Sequence, residues 1–286
     1  MTKTIGFVGL GHMGGNMAAR LMAAGYTVYG ESRTHEHAQQ LIDQGLQWRD
    51  TPREVAESSD VVFTSLPDDD ALRDASDSLL TGLSAGKVWV DVSTVSPSVS
   101  RSVAAKVRER GAAMLDAPVS GSVPQVQTGT LTIMVGGDES AFREVEPILR
   151  ELGTPTHVGD NGHGLALKLA VNISLAVQIL AFSEGLLLAE RDGVDRELAA
   201  DVMAASPIGS PMLKAREPLV LDLPDEAWFD VELMQKDIRL AEALAEELDV
   251  PLPTATVADE WLSRARGLGY EHRDIAALYQ TLRYLA

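Results

Sequence analysis

The sequence has no cysteine among its 286 residues. Disulfides, thiolate metal sites and a cysteine nucleophile are therefore excluded.

Long hydrophobic runs are also missing, because the most apolar stretch, residues 169–183, lies between Lys168 and Glu184 and includes two amide side chains. A membrane span needs about 18 uncharged apolar residues, so no membrane partner is predicted. Glycines at positions 9, 11, 14 and 15 interrupt any signal-sequence pattern, and we expect a cytoplasmic protein.

Positive charge is scarce as well. The formal net charge is −18, which argues against a nucleic-acid partner because affinity for phosphate backbones comes from clustered basic residues. Six residues are lysine, and Lys168 is the one inside an apolar segment.

No two histidines have the spacing of four typical of metal ligands, and no serine has the flanking glycines of a nucleophile elbow. We therefore predict neither a metal site nor a serine hydrolase.

Short β-rich runs alternate with helical stretches over the first 160 residues. This alternation is typical of βαβ units and predicts an α/β fold with a Rossmann-type, doubly wound parallel sheet. The predicted strands cover residues 4–8, 27–29, 61–65, 87–91, 113–116 and 131–135. The predicted helices cover residues 13–24, 35–44, 97–110 and 139–152.

The remainder of the chain has helical periodicity without strand-like alternation. One long helix is predicted over residues 165–191, and its apolar composition on nearly all faces predicts that it is buried all round. Further helices are predicted, including 231–248 and 254–267. We place the domain boundary near residues 162–164, which gives a sheet domain over 1–162 and an all-α domain over 163–286. The long helix is easiest to cover if a second subunit shares its burial, so we expect at least a homodimer.

The segment Gly9-Leu10-Gly11-His12-Met13-Gly14 follows a predicted strand and opens a predicted helix. In that context the pattern indicates a dinucleotide site. The first glycine permits a tight turn, the second allows close approach of the pyrophosphate, and the third allows helix and strand to pack. We predict that all six residues contribute to the cofactor site.

The end of the second strand favours NADP over NAD. An arginine there accommodates a 2′-phosphate, whereas an acidic residue bonds the ribose hydroxyls. Arg33 offers a guanidinium fork, and Ser32 and Thr34 offer hydroxyl donors. Glu31 keeps NAD open as the alternative, because it is either the ribose acid of an NAD site or a solvated charge.

Four motifs together resemble the β-hydroxyacid dehydrogenase family, to which 3-hydroxyisobutyrate dehydrogenase is related, over essentially the whole chain. The first motif is the glycine segment continued by Gly15-Asn16-Met17-Ala18. The second is Asp116-Ala117-Pro118-Val119-Ser120-Gly121, and the third runs from Gly164 through Lys168 to Asn172. The fourth is Lys236-Asp237 within residues 229–240. The segment Ser32-Arg33-Thr34 resembles the corresponding segment of the family's NADP-using branch.

The resemblance implies a Rossmann domain, a long connecting helix and a helical domain, with the active site in the cleft between them and a carboxylate-bearing substrate. Lys168 would be catalytic, and Asn172 would orient the substrate. The remaining implied positions fall into two groups. Those implied to hold substrate are Ser120, Gly121, Ser122 and Lys236, and those implied to contact cofactor are Leu66, Pro67, Ser93, Thr94, Phe229 and Lys236. Ser122 and Pro124 depart from the family pattern, which puts the substrate's identity in doubt.

The residues support the same chemistry independently. Lys168 and Asn172 lie four apart on one predicted helix, so an ammonium and an amide share one face. Lysine can protonate a developing alkoxide or, when neutral, accept a hydroxyl proton. The alternative for Lys168 is a lysine at a helix start whose ammonium reaches solvent or an ion-pair partner. Lys236 is alternatively a helix charge paired with Glu232, and Asn172 alternatively bonds a neighbouring helix.

Consecutive backbone donors at Ser120-Gly121-Ser122 predict a cradle for the carboxylate, with a local turn as the alternative. We therefore expect a hydride-transferring oxidoreductase acting on a short β-hydroxyacid or its semialdehyde, such as hydroxyisobutyrate, hydroxypropionate, tartronate semialdehyde, succinic semialdehyde or glyoxylate. An imine reductase of the same architecture is one alternative, but such enzymes generally lack the lysine. A non-catalytic NADP-binding regulator or scaffold is the other.

Overall fold

The computed structural model describes residues 3–286, apart from the side chains of residues 36 and 37. Within that range the strands are β1 (Ile5–Val8), β2 (Val28–Glu31), β3 (Gln47–Trp48), β4 (Val61–Thr64), β5 (Val88–Asp91), β6 (Ala113–Asp116), β7 (Val119–Ser120), β8 (Leu131–Gly136) and β9 (Gly153–Gly159). The helices before the long one are α1 (His12–Ala23), α2 (His35–Asp43), α3 (Pro52–Ser58), α4 (Asp69–Gly82), α5 (Pro97–Glu109), α6 (Val123–Thr128) and α7 (Glu139–Leu152). The others are α8 (His163–Arg191), α9 (Arg196–Ala205), α10 (Pro211–Leu221), α11 (Val231–Leu248), α12 (Pro253–Gly267) and α13 (Ala277–Leu285).

One sheet of nine strands runs in the order β3-β2-β1-β4-β5-β6-β8-β7, with β9 beside β8. The pairs from β3 to β6 are parallel, and β8 is antiparallel to β6 and β7. Every residue of β1, β4 and β5 is buried, as expected for strands that are covered by helices on both faces. The strand order reverses at β1, so a crevice opens at the carboxyl ends of β1 and β4, where open α/β sheets bind ligands.

The chain divides into two compact units, Met1–Lys168 and Leu169–Ala286. The first contains the sheet, with one apolar cluster on each face of it. The second is helical and packs around its own apolar cluster, which includes Ile179, Leu186, Ile238 and Tyr279. A buried ion pair, Arg216 Nη1 to Asp274 Oδ1 at 2.5 Å, links two segments of this helical unit.

The long helix α8 is only partly covered by the rest of the described chain. Its apolar composition predicts burial on all sides, yet 39% of its most apolar stretch is buried within the chain and Leu188 is 74% exposed. Among residues 3–286 it is also the one helix that is long and apolar enough to meet the length and composition criteria of a membrane span. A core helix passes the same criteria, so these two properties do not assign it to a membrane.

Candidate functional site

The glycine turn after β1 is fixed by the packing of the protein itself. Gly9 donates its amide to the Glu31 carbonyl at 3.0 Å and adopts a φ of 91°. A Cβ on Gly9 would lie 2.3 Å from the Ser65 carbonyl oxygen, and a Cβ on Gly14 would lie 2.1 Å from the Gly9 carbonyl oxygen. The first and third glycines are therefore required by the turn and by the helix that packs on it.

Gly11 is different, because a Cβ at this position would meet no heavy atom of the protein within 4 Å. Gly11 is the N-cap of α1, it has no side chain to accept from the first-turn amides, and that turn contains no acidic residue. Helices α3, α4 and α7 are capped by the side chains of Thr51, Asp68 and Asp138, whereas α2 and α5, like α1, make no side-chain cap bond. The N-terminus of α1 suits an anion, and the open space at Gly11 leaves room for one to approach the backbone.

The remaining residues of this segment surround the turn. Leu10 is buried in the core, Met13 is half-buried and packs against the core cluster, and His12 is exposed. Leu10 thus contributes to the turn through packing of its side chain. Asn16 holds the turn by donating its side-chain amide to the His12 carbonyl oxygen at 2.7 Å.

The residues after β2 follow the glycine turn at the same sheet edge, since Val8 and Glu31 are register partners in parallel strands. Arg33 and Thr34 are exposed, and Ser32 is half-buried. Burial raises the pKa of the Glu31 carboxyl above its ordinary value, and the nearby Arg33 charge partly opposes this. The segment therefore presents a guanidinium to solvent, beside a carboxyl whose charged form is disfavoured.

Polar groups tie the ends of β4 and β5 together. Asp91, fully buried, accepts at Oδ1 from the Thr64 hydroxyl at 2.7 Å and from the Ser93 hydroxyl at 2.6 Å. Ser93 in turn accepts from the Leu66 amide at 2.9 Å. The Ser93 hydroxyl thus holds the loop that contains Leu66 and Pro67. Burial raises the pKa of Asp91, opposed by the hydroxyl groups that it accepts from.

The predicted carboxylate cradle lies at the start of α6. Ser120 ends β7, which pairs with β8, and Gly121 follows with a φ of 131°. The Ser122 amide donates to Gln125 Oε1 at 2.8 Å. The Ser122 amide, one of the three predicted backbone donors, is therefore already engaged by the protein itself.

Asp116 joins the second motif to the third. It ends β6, is 0% exposed, and accepts from the Gly162 amide at Oδ1 (2.7 Å) and from the Leu165 amide at Oδ2 (3.1 Å). Burial raises the pKa of Asp116, while these two backbone donors lower it. The first turn of α8 is thereby fixed to the end of β6, and Lys168, which is half-buried, follows Leu165 by one turn.

The helical unit brings Asn172 and Lys236 to one carboxylate. Asn172, 1% exposed, donates its side-chain amide to Asp237 Oδ2 at 2.5 Å, and Lys236 Nζ lies 3.1 Å from Asp237 Oδ1. Asp237 lies on α11 and contacts both predicted groups, so the alternative that Asn172 bonds a neighbouring helix is confirmed. Glu232, the alternative partner for Lys236, pairs with Arg266 at 3.1 Å.

Phe229 lies just before α11, and its position is fixed through its backbone. The Phe229 amide donates to Asp274 Oδ2 at 3.1 Å, and the Trp228 amide donates to the same oxygen at 3.0 Å. The Phe229 side chain is half-buried and packs against the apolar cluster of the helical unit. Asp274 joins Asp237 as a buried carboxylate of the helical unit, and composition and spacing did not single it out.

A doubly wound sheet, a glycine turn at its switch point and an uncapped helix behind that turn define a dinucleotide-binding protein of the Rossmann class. A family model described as the NAD binding domain of 6-phosphogluconate dehydrogenase matches residues 4–161. A second, described as the NAD-binding of NADP-dependent 3-hydroxyisobutyrate dehydrogenase, matches residues 162–282. The chain belongs to the 3-hydroxyisobutyrate dehydrogenase family of oxidoreductases, which confirms the resemblance and the predicted fold class.

Individual relatives span the whole chain. It is 34% identical to the 2-hydroxy-3-oxopropionate reductase of Escherichia coli, covering 99% of this chain and 98% of that protein. A solved structure of Mycobacterium tuberculosis 3-hydroxyisobutyrate dehydrogenase with L-serine has a TM-score of 0.89 at 30% identity, covering 99% of this chain and 100% of that one. A structure of Psf3 in complex with NADP+ and 2-OPP has a TM-score of 0.89 at 26% identity, covering 98% and 100%.

Proposed function

We propose that this protein is an NADP(H)-dependent oxidoreductase that interconverts a short β-hydroxyacid and its semialdehyde, with Lys168 as the general acid and base. One observation carries the proposal. The glycine turn, the Leu66 and Ser93 loops and the start of the substrate segment all follow the carboxyl ends of parallel strands, and Asp116 fixes the Lys168 helix to that same edge. Ligand sites of open α/β sheets form at this edge.

The cofactor would be held by the α1 N-terminus and the residues after β2. Backbone amides of α1 would bind the pyrophosphate, and Arg33, with Ser32 and Thr34, would bind the 2′-phosphate. The Psf3 structure, solved with NADP+, supports the same choice. When bound, the nicotinamide supplies or accepts the hydride.

Replacing Arg33 by alanine should weaken NADPH binding by about tenfold to hundredfold, because a charge-assisted hydrogen bond contributes about 1.5 to 3 kcal/mol. NADH lacks the 2′-phosphate, so its affinity should be nearly unchanged. Parallel fluorescence titrations with both cofactors measure the difference, and Glu31→Gln serves as a matched neighbour that should bind NADPH slightly more tightly. Equal losses for the two cofactors would rule out the assignment of Arg33.

Lys168 would donate a proton to, or accept one from, the reacting oxygen of the substrate. During reduction its ammonium would donate a proton from Nζ to the substrate oxygen as alkoxide charge develops, and during oxidation its neutral amine would accept the hydroxyl proton. Lys236 would supply a second cation, and Asp237 would hold both Lys236 and Asn172 in place, since it contacts each of them.

The substrate would carry a carboxylate bound by Ser120 and Gly121. The Escherichia coli relative, a 2-hydroxy-3-oxopropionate reductase, acts on a substrate of this class by name and supports the choice. A panel of small semialdehydes with NADPH, run beside cyclic imines and followed by loss of NADPH absorbance, tests the proposed function. Turnover of imines alone would overturn it in favour of an imine reductase, and no turnover of any substrate would favour a scaffold.

We also propose a homo-oligomer whose interface includes the corner between α8 and α9. Leu188, Leu198 and Val202 are 74%, 57% and 61% exposed. Leu198 and Val202 are four residues apart and share one helical face. The two helices meet where Gly185 faces Met203, since a Cβ on Gly185 would lie 2.9 Å from Met203 Cε. Clustered exposed apolar side chains mark interaction surfaces, and symmetric self-association is the commonest way to cover them.

Substitution of Leu198 and Val202 together by glutamate should convert the oligomer to a monomer or reduce its order, because two charges would then be buried at the interface. Light scattering at several protein concentrations measures the mass. Val257→Glu, which places the same charge at an exposed position of α12, is the control and should leave the mass unchanged. An unaltered mass for the double variant would place the interface elsewhere.

A further inference from the structure

Asp116 connects the two segments that carry the proposed chemistry. It is the first residue of the substrate segment Asp116–Gly121. It accepts from two amides at the start of α8, that of Gly162 just before the helix and that of Leu165 in its first turn. Each carboxyl oxygen has its own amide, so the carboxylate fixes both the axial position and the rotation of that turn. Buried carboxylates that accept from helix-terminal amides bind strongly, because the amides carry the positive end of the helix dipole.

The surroundings of the carboxylate leave it little room to shift. A Cβ on Gly164 would lie 2.4 Å from the Met134 carbonyl oxygen and 2.9 Å from Asp116 Oδ2. A Cβ on Gly136, on the neighbouring strand β8, would lie 2.7 Å from the same Oδ2 and 2.8 Å from Oδ1. The absence of both side chains allows β8 and α8 to enclose the carboxylate tightly.

We propose that Asp116 is a positioning residue that sets the place of Lys168 relative to the substrate segment. The inference rests on the proposed role of Lys168. Lys168 follows Leu165 by three residues, which is about 4.5 Å along a helix axis, so a displacement of the first turn passes almost unchanged to the lysine. A misplacement of about 1 Å at a reacting group can cost on the order of a hundredfold in rate.

Two variants disturb this arrangement in different ways. Asp116→Asn keeps the shape but replaces one acceptor oxygen by an amide donor, so one of the two amides, that of Gly162 or that of Leu165, loses its partner. Gly164→Ala keeps the carboxylate and adds a methyl group against it and the Met134 carbonyl. Gly185→Ala is the matched control, because it makes the same change in the same helix where the nearest atom is the flexible end of Met203.

The first measurement uses the protein without cofactor. Hydrogen exchange at the Gly162 and Leu165 amides, followed by NMR, should accelerate by about tenfold or more in Asp116→Asn, because one bonded amide becomes available to water. Gly185→Ala should exchange at these two amides as the parent protein does. Unchanged protection at both amides in folded Asp116→Asn would overturn the proposal, whatever the protein catalyses.

The second measurement separates turnover from cofactor binding. For both Asp116→Asn and Gly164→Ala, kcat should fall by about tenfold to a hundredfold, while NADPH affinity stays within about twofold because the glycine turn is untouched. If Asp116→Asn does not fold, Gly164→Ala carries the test alone. Parent-like kcat in both variants while Lys168→Ala is inactive would overturn the positioning role and leave the proposed function standing. Parent-like kcat in Lys168→Ala would instead overturn the proposed function.

Discussion

Replacing Lys168 by alanine should lower kcat by about 10² to 10⁴ and leave NADPH binding nearly unchanged. The rate effect has this size because a positioned general acid contributes about that much, and loss of the charge beside a developing alkoxide adds to it. Cofactor affinity should survive, because the phosphates are assigned to the α1 N-terminus and Arg33. The measurements are steady-state kinetics, NADPH affinity by fluorescence, and thermal melting.

Two further variants sharpen this test. Lys214→Ala removes an exposed helical lysine and should behave as the parent protein, since alanine is the best helix former and no assigned role is lost. Lys168→Arg keeps the positive charge, but a guanidinium does not deprotonate in proteins, so it cannot act as the base for alcohol oxidation. It should be nearly inactive in that direction. A near-normal kcat in folded Lys168→Ala would make Lys168 a structural residue.

Much of the sheet could be predicted because its strands are short apolar runs separated by helical periodicity. Residues 113–116 and 139–152 were predicted with the bounds that β6 and α7 have in the structure. The strands β3 and β7 were not predicted, because two residues each carry no periodic signal. The strand β9 was missed for another reason. It begins with Gly153 and contains Pro155, which are typical of loops. Among the described residues it pairs with β8 alone, and proline is tolerated in edge strands.

The residues of the candidate site also divide into those that the sequence could predict and those that it could not. The glycine turn could be predicted because its residues are contiguous and their spacing has a physical cause. The supporting carboxylates could not, because they bond across long stretches of chain. Asp116 contacts amides 46 and 49 residues later, and Asp237 contacts an amide 65 residues earlier. Only tertiary structure reveals such pairs, although an acidic residue at the end of a buried strand or beside a motif lysine is a signal worth following.

The prediction for α8 was incomplete for a physical reason. Composition records how apolar a helix is, but it does not say which molecule covers it. The chain alone leaves Leu167 43% and Leu188 74% exposed, so the apolar faces that predict complete burial require a further surface. That requirement is the basis of the proposed homo-oligomer, and the mass of the Leu198 and Val202 double variant tests it.

The last prediction concerns the carboxylate of the substrate. A semialdehyde whose acid is replaced by a methyl ester should show a kcat/KM lower by about 10² to 10⁴, because two charge-assisted hydrogen bonds, each worth about 1.5 to 3 kcal/mol, would be lost. The Ser120 hydroxyl and the Gly121 amide are the proposed donors, and the ester keeps the reacting carbonyl while it removes the anion.

The experiment compares acid and ester in the parent protein and in Ser120→Ala. If Ser120 is one of the donors, this variant should lose activity mainly with the acid, so the ratio between the two substrates should narrow by about tenfold or more. A change that merely disturbed the fold would lower both rates together and leave the ratio intact. Equal kcat/KM for acid and ester in the parent protein would show that the pocket does not recognise a carboxylate, and the proposed substrate class would have to be abandoned.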